Sequence, residues 1–157
     1  METFNNKPIK ILIADDDIDD IEFFKITLAN ANPNATINTV ENGAKLLKQL
    51  FEAKGVEHHP DFIFLDINMP GLNGKECLKE IRQNKNFNNI PVIIFSTSSD
   101  RNDIEETYTN GANLFITKPS DLKTQTELLK TILSLNWNEI LQAPDKKNFL
   151  QFFNTVE

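Results

Sequence analysis

Five short apolar runs punctuate the chain, and segments with helical spacing of apolar residues separate them. Residues 9–14 (IKILIA), 62–65 (FIFL) and 92–95 (VIIF) carry little polar relief, as parallel strands covered on both faces do. Residues 36–40 (TINTV) alternate polar and apolar, which predicts a less buried edge strand, and 114–116 (LFI) form a shorter fifth run. Between the runs lie Ile21, Phe24 and Leu28, then Leu46, Leu47, Leu50 and Phe51, then Cys77, Leu78 and Ile81, then Ile104 and Tyr108. Leu122, Leu128, Leu129, Ile132 and Leu135 mark the strongest helix, with Ser120 or Asp121 as its cap. Repeated strand-then-helix units predict an α/β fold: a doubly wound, five-stranded parallel sheet with right-handed crossovers and helices on both faces. The flavodoxin-like order 2-1-3-4-5 agrees with the second strand as an edge, and a C-terminal extension follows.

Length and composition narrow this picture without changing it. At 157 residues, with 39% apolar and 25% charged residues, the chain suits one globular domain. Sixteen Lys plus Arg against twenty-three Asp plus Glu give a formal charge of −7, which argues against general nucleic-acid or anionic-membrane binding. The lone Cys77 excludes an intramolecular disulfide and fits a reducing compartment. No apolar run approaches membrane-spanning length and no signal peptide is legible, so a cytoplasmic location is expected.

In such a sheet, ligands bind outside the carboxyl ends of the strands, beside the switch point between strands 1 and 3. The residues leaving those strands are Asp15-Asp16-Asp17, Asp66-Ile67-Asn68, Ser96-Thr97-Ser98-Ser99 and Lys118-Pro119. Carboxylates ~4 Å apart repel by about 4 kcal/mol per pair at an effective dielectric of 20, so a bare cluster is costly. A hard divalent cation relieves that cost, and an oxygen-only set with few ligands suits Mg²⁺. Carboxylate, Mg²⁺, hydroxyl and ammonium together describe phosphoryl transfer, with one carboxylate able to act as nucleophile. Asp17, Asp19 and Asp20 read as helix N-terminal acids rather than ligands. The spacing Asp15, Asp17, Asp19 imitates a calcium loop but fails at Asp20, where Gly is required, and at Ile26, where Glu is required.

These motifs, ILIADDD (11–17), DFIFLDINMPGLNG (61–74), PVIIFSTSS (91–99) and GANLFITKP (111–119), occur in the order of the response-regulator receiver domain, which the chain resembles over residues 7–136. The resemblance implies that Asp66 is the phosphoacceptor and that Asp15, Asp16, Asp66 and the backbone carbonyl of Asn68 hold Mg²⁺. It further implies that Ser96 and Lys118 contact the phosphoryl group, that Ser96 and Phe115 are the switch residues, and that a cis peptide precedes Pro119. Phe115 equally suits a plain core aromatic. The expected donor is a sensor histidine kinase or a histidine phosphotransfer protein. The product would be a conformational signal, not a turned-over substrate, and neither nucleic acid nor membrane is an expected partner. Within the family the chain is similar to small stand-alone regulators of the phytochrome-associated type. Aspartyl-phosphate phosphatases commonly carry a second acid two residues after the nucleophile, where this chain has Asn68.

His58 and His59 read as solvated loop residues, Cys77 as packed under the third helix, and Ser99 or Asp100 as the cap of the fourth. Residues 137–157 form the C-terminal extension. Asp145 is placed to start a short helix with an apolar face of Phe149, Leu150, Phe152, Phe153 and Val156. Two readings of that face stay open: docking on its own domain, or a partner. A homodimer would use the extension or the face formed by the fourth helix, fifth strand and fifth helix.

Overall fold

Each apolar run forms a strand, and the helical spacing between runs forms a helix. The structure, a computed structural model, describes residues 7–142 and Phe149. In chain order it comprises β1 (Lys10–Ala14), α1 (Ile18–Ala31), β2 (Thr36–Val40), α2 (Gly43–Glu52), β3 (Phe62–Leu65), α3 (Gly74–Gln83), β4 (Val92–Ser96), α4 (Arg101–Thr109), β5 (Leu114–Thr117), α5 (Leu122–Ser134) and α6 (Trp137–Gln142). All strand pairs are parallel and the order is β2-β1-β3-β4-β5, as the alternation in TINTV predicts for an edge strand.

Strand alternation divides the core in two. Leu12, Ala14, Ile63, Leu65, Ile94 and Phe115 face the side covered by α2, α3 and α4. Ile11, Ile13, Phe62, Phe64, Ile93 and Phe95 face α1 and α5. Beneath α1 the rings of Phe24, Phe64 and Phe95 meet edge to face at centroid distances of 4.9, 5.6 and 5.9 Å. Each such pair adds about 0.5–1.5 kcal/mol beyond its burial. The rigid central strands therefore fix their carboxyl ends relative to one another.

Every helix from α1 to α5 begins at an Asp or Asn whose side chain accepts from backbone N–H groups of the first turn: Asp17, Asn42, Asn73, Asp100 and Asp121. Such caps are typically worth ~1 kcal/mol each. Of the alternatives offered by the sequence, Asp100 rather than Ser99 caps α4, and Asp121 rather than Ser120 caps α5.

Two expectations change, at His59 and at the bond before Pro119. His59 is buried, not solvated: a 3-10 turn over Val56–His58, opened by Gly55 at φ 94°, sets its ring edge-on to Phe87 at 5.1 Å. Trp137 opens α6, donates from Nε1 to the Ile132 carbonyl at 2.8 Å and packs against Phe62, so the extension begins on the domain surface. The Lys118–Pro119 bond is trans, the form that X-Pro bonds favour. The helix proposed after Asp145 lies outside the described residues except for Phe149, which is buried.

Candidate functional site

The parallel ladder runs one residue past the strands and aligns the residues that leave them. Asp15 N–H donates to the Val40 carbonyl at 3.0 Å, Asp66 N–H to Ala14 at 3.0 Å, and Lys118 N–H to Ser96 at 2.8 Å. At three of these strand ends the side chain then accepts from the backbone two residues on. Asp17 N–H donates to Asp15 Oδ1 at 2.9 Å, Asn68 N–H to Asp66 Oδ1 at 3.0 Å, and Ser98 N–H to Ser96 Oγ at 3.2 Å. Such local bonds compete with regular structure, which suits residues where a strand gives way to a loop. They also fix each rotamer, leaving the outer carboxylate oxygens aimed at one point.

Lys118 Nζ stands at that point. It donates to Asp15 Oδ2 at 2.7 Å, Asp20 Oδ2 at 2.8 Å and Asp66 Oδ2 at 3.1 Å. The side chains of Lys118, Asp15 and Asp66 are buried, whereas Asp20 is partly open to solvent. Burial alone would pull the Lys118 ammonium down, but hydrogen bonds to Asp15 and Asp20 and the charges of Asp66 and Asp15 outweigh it and raise its pKa. Burial likewise pushes the Asp15 carboxyl up; Lys118 and the Asp17 N–H offset part of this, and the Asp66 charge adds to it.

Carboxylate oxygens of Asp15, Asp16 and Asp66 lie within 4.8 Å of one another, with Asp16 exposed. With Asp20, four carboxylates gather around the site and three of them pair with its one ammonium, which leaves an excess of three formal negative charges. This all-oxygen donor set fits a hard divalent cation. A depression of about 360 Å³ between α1 and the start of α2 opens beside Asp15 and Asp16. On the other flank Asn68 Nδ2 lies 3.5 Å from Ser96 Oγ, and Phe115 is fully buried on β5.

The sequence thus placed Asp15, Asp16, Asp66, Ser96 and Lys118 at one site, and the fold brings them together. Asp20 was read only as a helix N-terminal acid; it also faces Lys118, because the first turn of α1 lies across the ends of β1 and β5. Also missed was a tie behind the β4–α4 loop. Ser98 Oγ donates to Asp103 Oδ2 at 2.6 Å, and Lys75 of α3 pairs with Asp103 and Glu106 of α4 at 2.6 and 2.7 Å. A Lys on one helix and two acids three residues apart on another give no local pattern from which pairing is legible.

The response regulator receiver domain model matches residues 11–132. The chain belongs to this family. Among receiver relatives, it is 28% identical to the response regulator Rcp1 of Synechocystis sp., over 92% of this chain and 99% of that one. It is 33% identical to the chemotaxis protein CheY-3 of Vibrio cholerae, over 84% of this chain and 97% of that protein. The phosphorylated cyanobacterial phytochrome response regulator RcpA superposes with a TM-score of 0.71 at 30% identity, covering 88% of this chain and 96% of RcpA. The Mn²⁺-bound form of Rcp1 superposes at 0.70 with 28% identity, covering 82% and 94%. This receiver is thus similar to phytochrome-associated regulators of two-component signalling as well as to chemotaxis regulators. Among its described residues, no helix is long and apolar enough to cross a membrane.

Proposed function

We propose that this receiver accepts a phosphoryl group on Asp66 from the phosphohistidine of a sensor histidine kinase or a histidine phosphotransfer protein, acting as a stand-alone switch. The observation that carries the reading is the Lys118 ammonium seated on Oδ2 of both Asp15 and Asp66 amid three uncompensated charges. That arrangement is built to receive a dianion once a cation joins it. A carboxylate oxygen of Asp66 attacks phosphorus, the phosphorus–nitrogen bond to the donor imidazole breaks, and the imidazole takes up the leaving electron pair. Lys118 moves from pairing with carboxylates to pairing with phosphoryl oxygens, and the Ser96 hydroxyl donates to another. Catalysis in such a step is positioning plus charge stabilisation, and the rigid ends of β1, β3, β4 and β5 supply the positioning. Mg²⁺, when held by Asp15, Asp16, Asp66 and the Asn68 carbonyl, supplies the remaining neutralisation of charge on the phosphoryl oxygens. The related RcpA and Rcp1 structures, one phosphorylated and one with Mn²⁺, support both assignments.

The phosphorylated state would hold Ser96 and Lys118 in a second arrangement and move Phe115 and α4, so that the face of α4, β5 and α5 reports the signal to a partner or a second copy. Turnover of a separate substrate is not part of this reading. The match to a protein-glutamate methylesterase of Trichodesmium erythraeum spans only 34% of that protein, so its hydrolase activity does not transfer. Intact-mass measurement with a small phosphodonor and Mg²⁺ tests the assignment. One phosphoryl group is expected on the native chain and none on Asp66→Asn; undiminished labelling of that variant would refute Asp66 as acceptor.

A further inference from the structure

Beyond the site, Phe149 of the C-terminal extension is seated in the core. Phe149 is only 1% exposed, although the extension that carries it lies outside the strand–helix repeats. Its ring meets Tyr108 of α4 at a centroid distance of 5.1 Å and 62° between planes, and Phe115 of β5 at 6.4 Å and 59°. It belongs to the same core cluster as Ile104, Ala112 and Ile94. The seat is unusual in what it joins. Helix α4 buries only Ile104 and Thr107, so Tyr108 against Phe149 is a large share of its apolar attachment. Phe115 stands three residues before Lys118, and α4 follows directly from the loop that leaves Ser96 at the end of β4 and carries Ser98.

We infer that Phe149 is an intramolecular aromatic plug that holds α4 and Phe115 in the unphosphorylated arrangement. The inference rests on Asp66 being the phosphoacceptor. A change at Ser96 and Lys118 that moves α4 or the Phe115 ring must repack or release Phe149, because its ring fills the junction between them. With Phe149 in its seat the second arrangement is the minor one; emptying the seat raises its population, and phosphorylation that proceeds from that arrangement speeds up in proportion. Its ring stands against Tyr108 and Phe115, so a partner or a second copy that engages those two side chains must displace Phe149. The extension thereby sets a threshold on the output.

The test uses the full chain as native protein, Phe149→Ala and Phe149→Leu, the last keeping apolar volume without the aromatic edge. Two measurements are made on each: amide hydrogen exchange of α4 beside that of β1 and β3, and the rate of Asp66 phosphorylation by a small phosphodonor with Mg²⁺. Phe149→Ala is expected to exchange faster in α4 alone and to phosphorylate faster, by roughly five-fold or more in each, as allosteric couplings commonly show. Phe149→Leu should fall between. Unchanged α4 exchange overturns the seat. Faster α4 exchange with an unchanged phosphorylation rate reduces Phe149 to packing and overturns the coupling. Exchange accelerated equally in β1 and β3 for both variants means a general stability role and overturns the local plug. If the native chain itself takes no phosphoryl group, the acceptor reading falls and the coupling with it, while α4 exchange still decides the seat. Sizing decides the last alternative: a native dimer that Phe149→Ala turns into monomer would place the ring in a second copy and overturn the intramolecular contact.

Discussion

Gly74 has no room for a methyl group. A Cβ there would stand 2.3 Å from the Asp66 carbonyl oxygen and 2.5 Å from Ile67 Cα, both backbone atoms that cannot swing aside. The start of α3 therefore packs directly on the backbone of the proposed acceptor, which any side chain at 74 would displace. Gly74→Ala is expected to cost about 1–3 kcal/mol, as overpacking does, and to weaken divalent-cation binding by shifting Asp66. Urea unfolding and cation titration would read the two effects, and a variant with native stability would show that the contact relaxes. Three residues on, Cys77 is fully buried, with Sγ 3.7 Å from the Gly43 carbonyl. Burial, with a contribution from the Glu80 charge, pushes its thiol up to about 12. Since the thiolate is the reactive form, Cys77 should resist iodoacetamide at pH 8 in the native chain and react at once in denaturant, as mass spectrometry would show.

At the scale of elements, polar side chains of α3 tie it to its neighbours. Arg82 donates to the carbonyls of Gly111, Phe87 and Ile90 and to Asn113 Oδ1 at 2.8–3.0 Å, gathering the end of α3, the connection that leads into β4 and the turn between α4 and β5. Arg82→Met would leave these four acceptors without their charged donor and should cost at least about 3 kcal/mol in urea unfolding, since even one hydrogen bond to a charged group is worth about 1.5–3 kcal/mol. The Lys75 tie to α4 is weaker and pH-dependent. Burial pushes Asp103 up, but hydrogen bonds from Lys75 and Ser98 outweigh it and hold Asp103 below the usual carboxylate range. Hydrogen bonds to Asp103 and Glu106 raise Lys75. The Asp103 contribution is thus complete above the ordinary value of 3.8 and is lost as pH falls through its lowered value. That of Lys75 is complete below 10.5 and is lost as pH rises through its raised value. Lys75→Met should lower stability by roughly 0.5–1 kcal/mol at neutral pH and by less at the acid limit, measured by urea midpoints across pH. An equal loss at pH 3 and pH 7 would argue for packing by the Lys75 stem instead.

For the whole molecule, the sheet was legible because an apolar run covered on both faces leaves a continuous signal. The residues leaving those runs named the site for the same reason. Strand ends are fixed points, so Asp15, Asp66, Ser96 and Lys118 converge wherever the strands align. Contacts that depend on how one element turns against a distant one were not legible. Asp20 reaches Lys118 only through the orientation of α1, His59 is buried only because a loop folds onto Phe87, and Phe149 finds Tyr108 from outside the repeats. The charge of −7 joins both scales. Part of it is spread over the surface, but Asp15, Asp16, Asp20 and Asp66 concentrate it around one ammonium, and fold stability is lowered by that repulsion. A cation that binds only the folded state returns the loss by mass action, about 2.7 kcal/mol at one hundred times its dissociation constant. Mg²⁺ should therefore raise the melting temperature of the native chain in a saturable way that matching ionic strength with a monovalent salt does not reproduce. Asp16 is exposed and makes no contact with Lys118, so Asp16→Asn should fold normally and lose most of that increment. An Asp16→Asn variant that Mg²⁺ stabilises as fully as the native chain would show that the cation acts by screening the surface, and would leave the acidic cluster without a metal role.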